Sequence, residues 1–146
     1  MASSTAPTTR ISLGLLVLRI AVGVVFAAHG AQKIFEYTLP GTVDAFEGMG
    51  VPMAGIVAPA IAVIELLGGI LLALGALTRV VGALLTLDMI GAIALVHAPA
   101  GFWVDAGGVE FVALLGAGAL ALALTGAGGI SADHTVLKRA LPASLR

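Results

Sequence analysis

Four apolar stretches dominate the chain, at residues 11–35, 53–77, 80–97 and 109–124. The first is interrupted by Arg19, His29, Gln32 and Lys33, the second by Glu65 and the third by Asp88, while the fourth carries Glu110 near its start. All four are rich in alanine and leucine and lack period-two alternation, which predicts helices rather than barrel strands. Each approaches or exceeds the ~18–20 residues that cross ~30 Å of hydrocarbon. A backbone in lipid must satisfy its own hydrogen bonds, and a helix does so. The expected fold is an all-α integral membrane four-helix bundle.

Turn signals divide these runs. Pro52 precedes the second, Thr78 follows it, Pro99 and Gly101 close the third, and the AGGI segment at 127–130 ends the fourth. A link of two or three residues between the second and third runs predicts an antiparallel hairpin. Between the first two runs, Val43, Phe46 and Met49 fall at helical spacing, which suits either a short amphipathic helix at the membrane interface or an ordered polar loop. Residues 1–10, small and polar, read as a disordered tail, residues 11–126 as the transmembrane domain, and residues 127–146 as a second tail.

Charge placement orients the bundle. Arg10, Arg79, Lys138, Arg139 and Arg146 all fall at one end of a four-span arrangement, whereas the opposite loops carry Glu36, Asp44, Glu47 and Asp105 with Lys33 alone among basic residues. The positive-inside rule then places the N- and C-termini in the cytoplasm. A cleaved signal peptide is disfavoured, because Arg19 interrupts the would-be apolar region and the run continues past Ala28.

Composition narrows the chemistry. Of 146 residues 60% are apolar and 10% charged, mean hydropathy is +1.14, and the net charge of −1 gives no reason to expect nucleic acid as a partner. The absence of cysteine removes disulfides, thiolate metal sites, iron–sulfur clusters and thiol redox chemistry from this chain. No metal site is expected.

Ionisable groups at membrane depth cost roughly 2.5–3.5 kcal/mol each on insertion scales, so they need partners or a purpose. With a rise of ~1.5 Å per residue, Arg19 and Asp88 each lie ~12 Å from the inner face and Glu65 ~18 Å from the outer one. Three helices thus bring Arg19, Glu65 and Asp88 to one plane, and Arg19 with Glu65 is the expected pair. Such a pair either locks helix register or belongs to a functional polar site. A second layer, His29, Lys33, His97 and Glu110, is expected near the outer face. It either marks the interface or forms a pocket that handles a ligand and its protons, since histidine titrates near neutral pH. A bis-histidine haem site between His29 and His97 is a further reading. Asp88 and His97, nine residues apart, stand on opposite sides of an ideal α-helix, so both can face the bundle only if that helix departs from ideal geometry. Gly68, Gly69, Gly75, Gly116 and Gly118 read as close-packing positions between helices, and no phosphate-binding pattern is present.

Several segments, in this order and spacing, resemble the DoxX family: LRIAVGVVFAAHGAQKIF at 18–35, FEGMGVP at 46–52, IELLGGILLALGALTR at 64–79, GAIALVHAPAGFW at 91–103 and GGVEF at 107–111. The resemblance spans about 15–133. It implies a four-helix membrane bundle associated with respiratory or sulfur redox chemistry, in which small subunits accompany quinone-linked complexes. Family positions fall on Arg19, His29, Lys33, Glu65, His97 and Glu110, and Asp88 has no clear counterpart. The expectation is a multi-pass protein of a bacterial inner (plasma) membrane: a small subunit of a quinone-linked redox complex, with quinone as the candidate ligand. Its partners would be the lipid bilayer and another redox subunit or a second copy of itself. A non-enzymatic assembly scaffold and a protein handling small solutes or lipids are the alternatives. Catalytic residues are not assigned.

Overall fold

A computed structural model describes residues 5–137 and 142, with the side chains of residues 5–8 left aside. Among the described residues there are helices and no strand: α1 (Thr5–Ala31), α2 (Leu39–Gly48), α3 (Ala54–Leu74), α4 (Thr78–Ala92), α5 (Glu110–Thr125) and the single turn α6 (Ala132–Thr135). Two π-helical segments, Gln32–Glu36 and Ile93–His97, extend α1 and α4. The continuous helices Thr9–Glu36, Ala54–Leu74 and Thr78–Ala100 are long and apolar enough to cross a membrane. The fourth, α5, has 16 residues, a rise of ~24 Å, and runs antiparallel to α4. Large apolar side chains such as Val17, Val24, Ile56, Leu67, Leu74, Leu87, Leu114 and Leu124 point outward, while Arg19, Glu65, Thr86 and Asp133 are buried. The apolar exterior and polar interior mark this as a multi-pass membrane protein.

Helix pairing follows the glycines. Gly23, Gly30 and Gly69 let α1 and α3 meet backbone to backbone, and a Cβ on Gly23 would stand 2.6 Å from the Gly69 carbonyl. Gly82 does the same for α4 against α5, where a Cβ would stand 2.8 Å from the Ala119 carbonyl. Gly118 against Val22 joins α1 to α5. Small residues permit this because van der Waals packing, rather than a hydrophobic drive, holds helices together in lipid. Phe26, Leu72, Leu85 and Leu122 fill the centre.

The predicted hairpin is present and tight: α3 ends at Gly75 (φ 68°) and α4 starts after Leu77 (φ 53°), both left-handed. The segment with Val43, Phe46 and Met49 is the helix α2, capped at its start by Thr38 Oγ1 accepting from Gly41 N and fastened by Thr42 Oγ1 donating to Lys33 O at 2.8 Å.

Both presumed tails differ from expectation. Helix α1 is already helical at Thr5, ahead of the apolar run. Residues 127–137 are not a free tail either. They fold back as a strap across the end of the bundle, burying Ala127, Ser131 and Asp133, with Gly129 N donating to Ser12 Oγ. The start of α1 and the strap therefore share one end, here called the strap end, and the loops after α1 and α4 share the other, the loop end. Lys138, Arg139 and Arg146 lie outside the described residues.

Candidate functional site

Arg19 does not pair with Glu65. Its guanidinium donates to Ala73 O at 3.2 Å, to Ala127 O at 2.6 Å and to Ile130 O, so one side chain ties α1 to the end of α3 and to the strap. Asp133 lies close by and completes the cluster: its Oδ1 accepts from Leu77 N and its Oδ2 from Thr78 N, at 2.8 and 2.9 Å. The cause of the mispairing is direction. Side chains on a helix lean toward its N-terminus, so Arg19 on α1 leans to the strap end while Glu65 on the antiparallel α3 leans to the loop end. Arg19 stands opposite Ala73, eight residues from Glu65, or ~12 Å along the helix.

Glu65 takes Lys33 instead, in the one ion pair among the described residues. Lys33 leans back from the loop end and meets Glu65 leaning up. Asp88 on α4 interacts with both, and its Oδ2 is buried without a hydrogen-bond partner among the described residues. One ammonium thus faces two carboxylates, leaving a unit of negative charge that a proton or a donor group on a ligand would balance.

This triad lies on a cavity of about 600 Å³ in the loop-end half of the bundle, lined also by His29, His97, Phe46, Met49, Ile61, Leu87 and Phe111. His29 packs against Phe111, ring centroids 5.9 Å apart. His97 Nδ1 stands 2.7 Å from Gly107 O. A carbonyl can only accept, so Nδ1 carries the proton, and in the neutral imidazole Nε2 is then the acceptor. The conflict between Asp88 and His97 is resolved by the π-helical segment Ile93–His97, which underwinds the helix and turns His97 back toward the side of Asp88.

Of the expected outer layer, the structure brings together His29, Lys33 and His97, adds Glu65 and Asp88, and leaves out Glu110. Glu110 opens α5, and its Oε2 accepts from Val104 N at 3.0 Å, bracing the loop from Gly101; short loop bonds such as Glu110 N to Phe102 O hold it there. Arg19 belongs to the strap cluster and not to the cavity. Sequence reasoning missed Asp133 altogether. Its signal was local: Ser131 caps α6 by accepting from His134 N, and a serine with an acid two residues later, in the first turn, is a helix-start pattern. Among the described residues no group of three or more His, Asp or Glu side chains could hold a metal ion.

The class defined so far is a small multi-pass helical membrane protein with an apolar cavity that carries ionisable groups at its inner wall. The DoxX family pattern matches residues 14–98, and the chain belongs to that family. It is similar to "Putative oxidoreductase CatD" of Bacillus subtilis, 40% identical over 86% of this chain and 89% of that protein. It is also similar to "Uncharacterized membrane protein Rv3486" of Mycobacterium tuberculosis, 34% identical over 90% of this chain and 86% of the relative. "Inner membrane protein YphA" of Escherichia coli is 34% identical over 82% of this chain and 88% of its own length. No solved structure matches.

Proposed function

We propose that this protein binds a lipid-soluble quinone or quinol in the loop-end cavity, as a small subunit of a membrane redox complex whose partner carries the electrons. The observation that carries this reading is a cavity of about 600 Å³, predominantly apolar, with a few convergent polar groups. That is the size and make-up of a small-molecule site. A quinone ring offers two carbonyls and a quinol two hydroxyls. Lys33 suits the first as donor, while the Nε2 of a neutral His97 suits the second as acceptor. The oxidoreductase name of the Bacillus subtilis relative is in keeping with this. The strap end, with Arg10 and Arg79, is assigned to the cytoplasm, which puts the cavity in the outer half of the bilayer.

Calorimetric titration of the purified protein with ubiquinone-1 tests the proposal. Saturable binding that weakens at least tenfold in His97→Ala is expected, and no saturable binding to the wild type overturns it. The apolar lining also favours a second reading, in which the cavity holds a lipid chain. Displacement of ubiquinone-1 by oleic acid at equal or lower concentration would move the assignment there.

A further inference from the structure

The cavity has a direction. Three of the four seams between neighbouring helices are closed in the loop-end half or just below it. Gly30 brings α1 against Ala62 and Leu66 of α3. Gly116 sits on Met89 where α4 meets α5, and His29 on Phe111 closes α1 against α5. The fourth seam, between α3 and α4, behaves differently along its length. Toward the strap end it is pinned by the hairpin at Gly75, by Asp133 and by Gly68, where a Cβ would rest 3.4 Å from Leu85. On the outward side of this seam, the cavity-lining residues Leu84, level with Gly68, and Leu87 and Leu95, at and beyond the level of Glu65, are 47%, 64% and 49% exposed, and Ile61 and Ile64 of α3, which line the same cavity, are half-buried. Side chains that line a cavity and also face outward mark its openings: these leucines put one on the α3–α4 seam, and Met49 of α2 and Phe111 of α5, 43% and 38% exposed, mark a second at the loop end.

Resting on the quinone reading, we propose that the α3–α4 seam is a lateral portal to the bilayer and a binding subsite for the ligand's hydrocarbon tail, held between Ile61 and Ile64 on one side and Leu84 and Leu87 on the other. The mouth is apolar and the inner wall carries Lys33, Glu65 and Asp88. A molecule entering from lipid therefore goes in head first and leaves its tail in the seam. Gly91 lies on the cavity wall of α4, and a Cβ there meets nothing within 4 Å. A larger side chain at that position narrows the passage without straining the fold, and leucine suits a helix interior better than glycine.

The test compares ubiquinone-0, -1 and -2, which share a ring and carry no, one and two isoprene units, on wild type, Gly91→Leu and Leu87→Trp in the same detergent, so that partitioning cancels between variants. In the wild type, affinity is expected to rise about tenfold or more from the tailless to the two-unit ligand, as apolar area is buried. Both variants are expected to lose that gain, so that the ratio of ubiquinone-2 to ubiquinone-0 affinity falls toward one whatever they do to the ring itself. Equal loss for all three ligands, or no dependence on tail length in the wild type, overturns the tail subsite and leaves the ring site standing. Failure of all three to bind the wild type overturns the ring site and the portal with it.

Discussion

Asp133 caps α4 from the other end of the sequence: its Oδ2 accepts from Thr78 N at 2.9 Å, 55 positions earlier, while Oδ1 accepts from Leu77 N at 2.8 Å. The N-cap residue of α4 is Leu77, whose side chain has no acceptor to offer, and a buried carboxylate does the capping in trans. Asp133→Ala should cost roughly 1–3 kcal/mol, the loss of a cap together with buried N–H groups left unpaired. Asp133→Asn, which keeps one acceptor oxygen, should cost less. Thermal unfolding in detergent measures both, and an alanine variant as stable as the wild type would remove Asp133 from the account of the hairpin.

Arg19 serves the same end of the bundle with three carbonyls on two segments. A planar fork of N–H groups can reach all three, whereas a lysine ammonium cannot keep that geometry. Arg19→Lys should therefore release the strap while leaving the bundle folded. Amide hydrogen exchange reads this directly: residues 127–135 should exchange at least about tenfold faster and the centre of α3 at its former rate. Uniform acceleration throughout the chain would mean that Arg19 supports the whole fold and not the strap in particular.

The glycine pairings predict an unequal response to alanine. At Gly23 and Gly82 an added methyl would overlap backbone atoms of the facing helix, at 2.6 and 2.8 Å, while at Gly14 it meets nothing within 4 Å. Gly23→Ala and Gly82→Ala should each lose roughly 1–3 kcal/mol through forced separation of the helices, and Gly14→Ala should be neutral or slightly stabilising. Comparable unfolding of all three variants in a denaturant series would show that the helices are not held at backbone distance.

How much of this could be read from the residues depended on what each signal measures. Hydropathy located the helices, since lipid-facing side chains such as Leu67 and Leu114 must be apolar whatever they pack against. Depth counting brought Glu65 and Asp88 to one level, and they do face one another. It failed for Arg19, because counting rise along a helix ignores the lean of the side chain, and that lean separates Arg19 from Glu65 while bringing Lys33 to it. The strap was lost for a related reason. Its glycines and serine carry no periodicity, and the residue that docks it, Asp133, finds its partners 55 and 56 positions away.

Glu110 and His97 offer a clean contrast at the loop end. The carboxylate of Glu110 is spent within its own loop, on Val104 N, whereas His97 lines the cavity and keeps Nε2 free. Glu110→Gln retains an acceptor oxygen and should leave quinone affinity within about twofold, with a stability loss near 1 kcal/mol. His97→Ala should weaken binding at least about tenfold with less effect on stability. Equal loss of affinity in both variants would place the Glu110 loop in the site after all.

The Lys33–Glu65 pair decides whether the charges of the cavity are there for the fold or for the ligand. Removing one member of a buried pair leaves the other uncompensated, at a cost of roughly 3–5 kcal/mol, while replacing both by apolar residues of similar volume is often neutral or stabilising. Lys33→Met alone should be the worst case, since it strands two carboxylates, Glu65 and Asp88, beside each other. Glu65→Met should be milder, because Lys33 can turn to Asp88. The double variant Lys33→Met with Glu65→Met should recover most of the stability. If it does so and still binds ubiquinone-1 with wild-type affinity, the pair is dispensable to both. If it folds as well as the wild type and binds nothing, the charges are kept at this depth for the ligand, because the fold does as well without them.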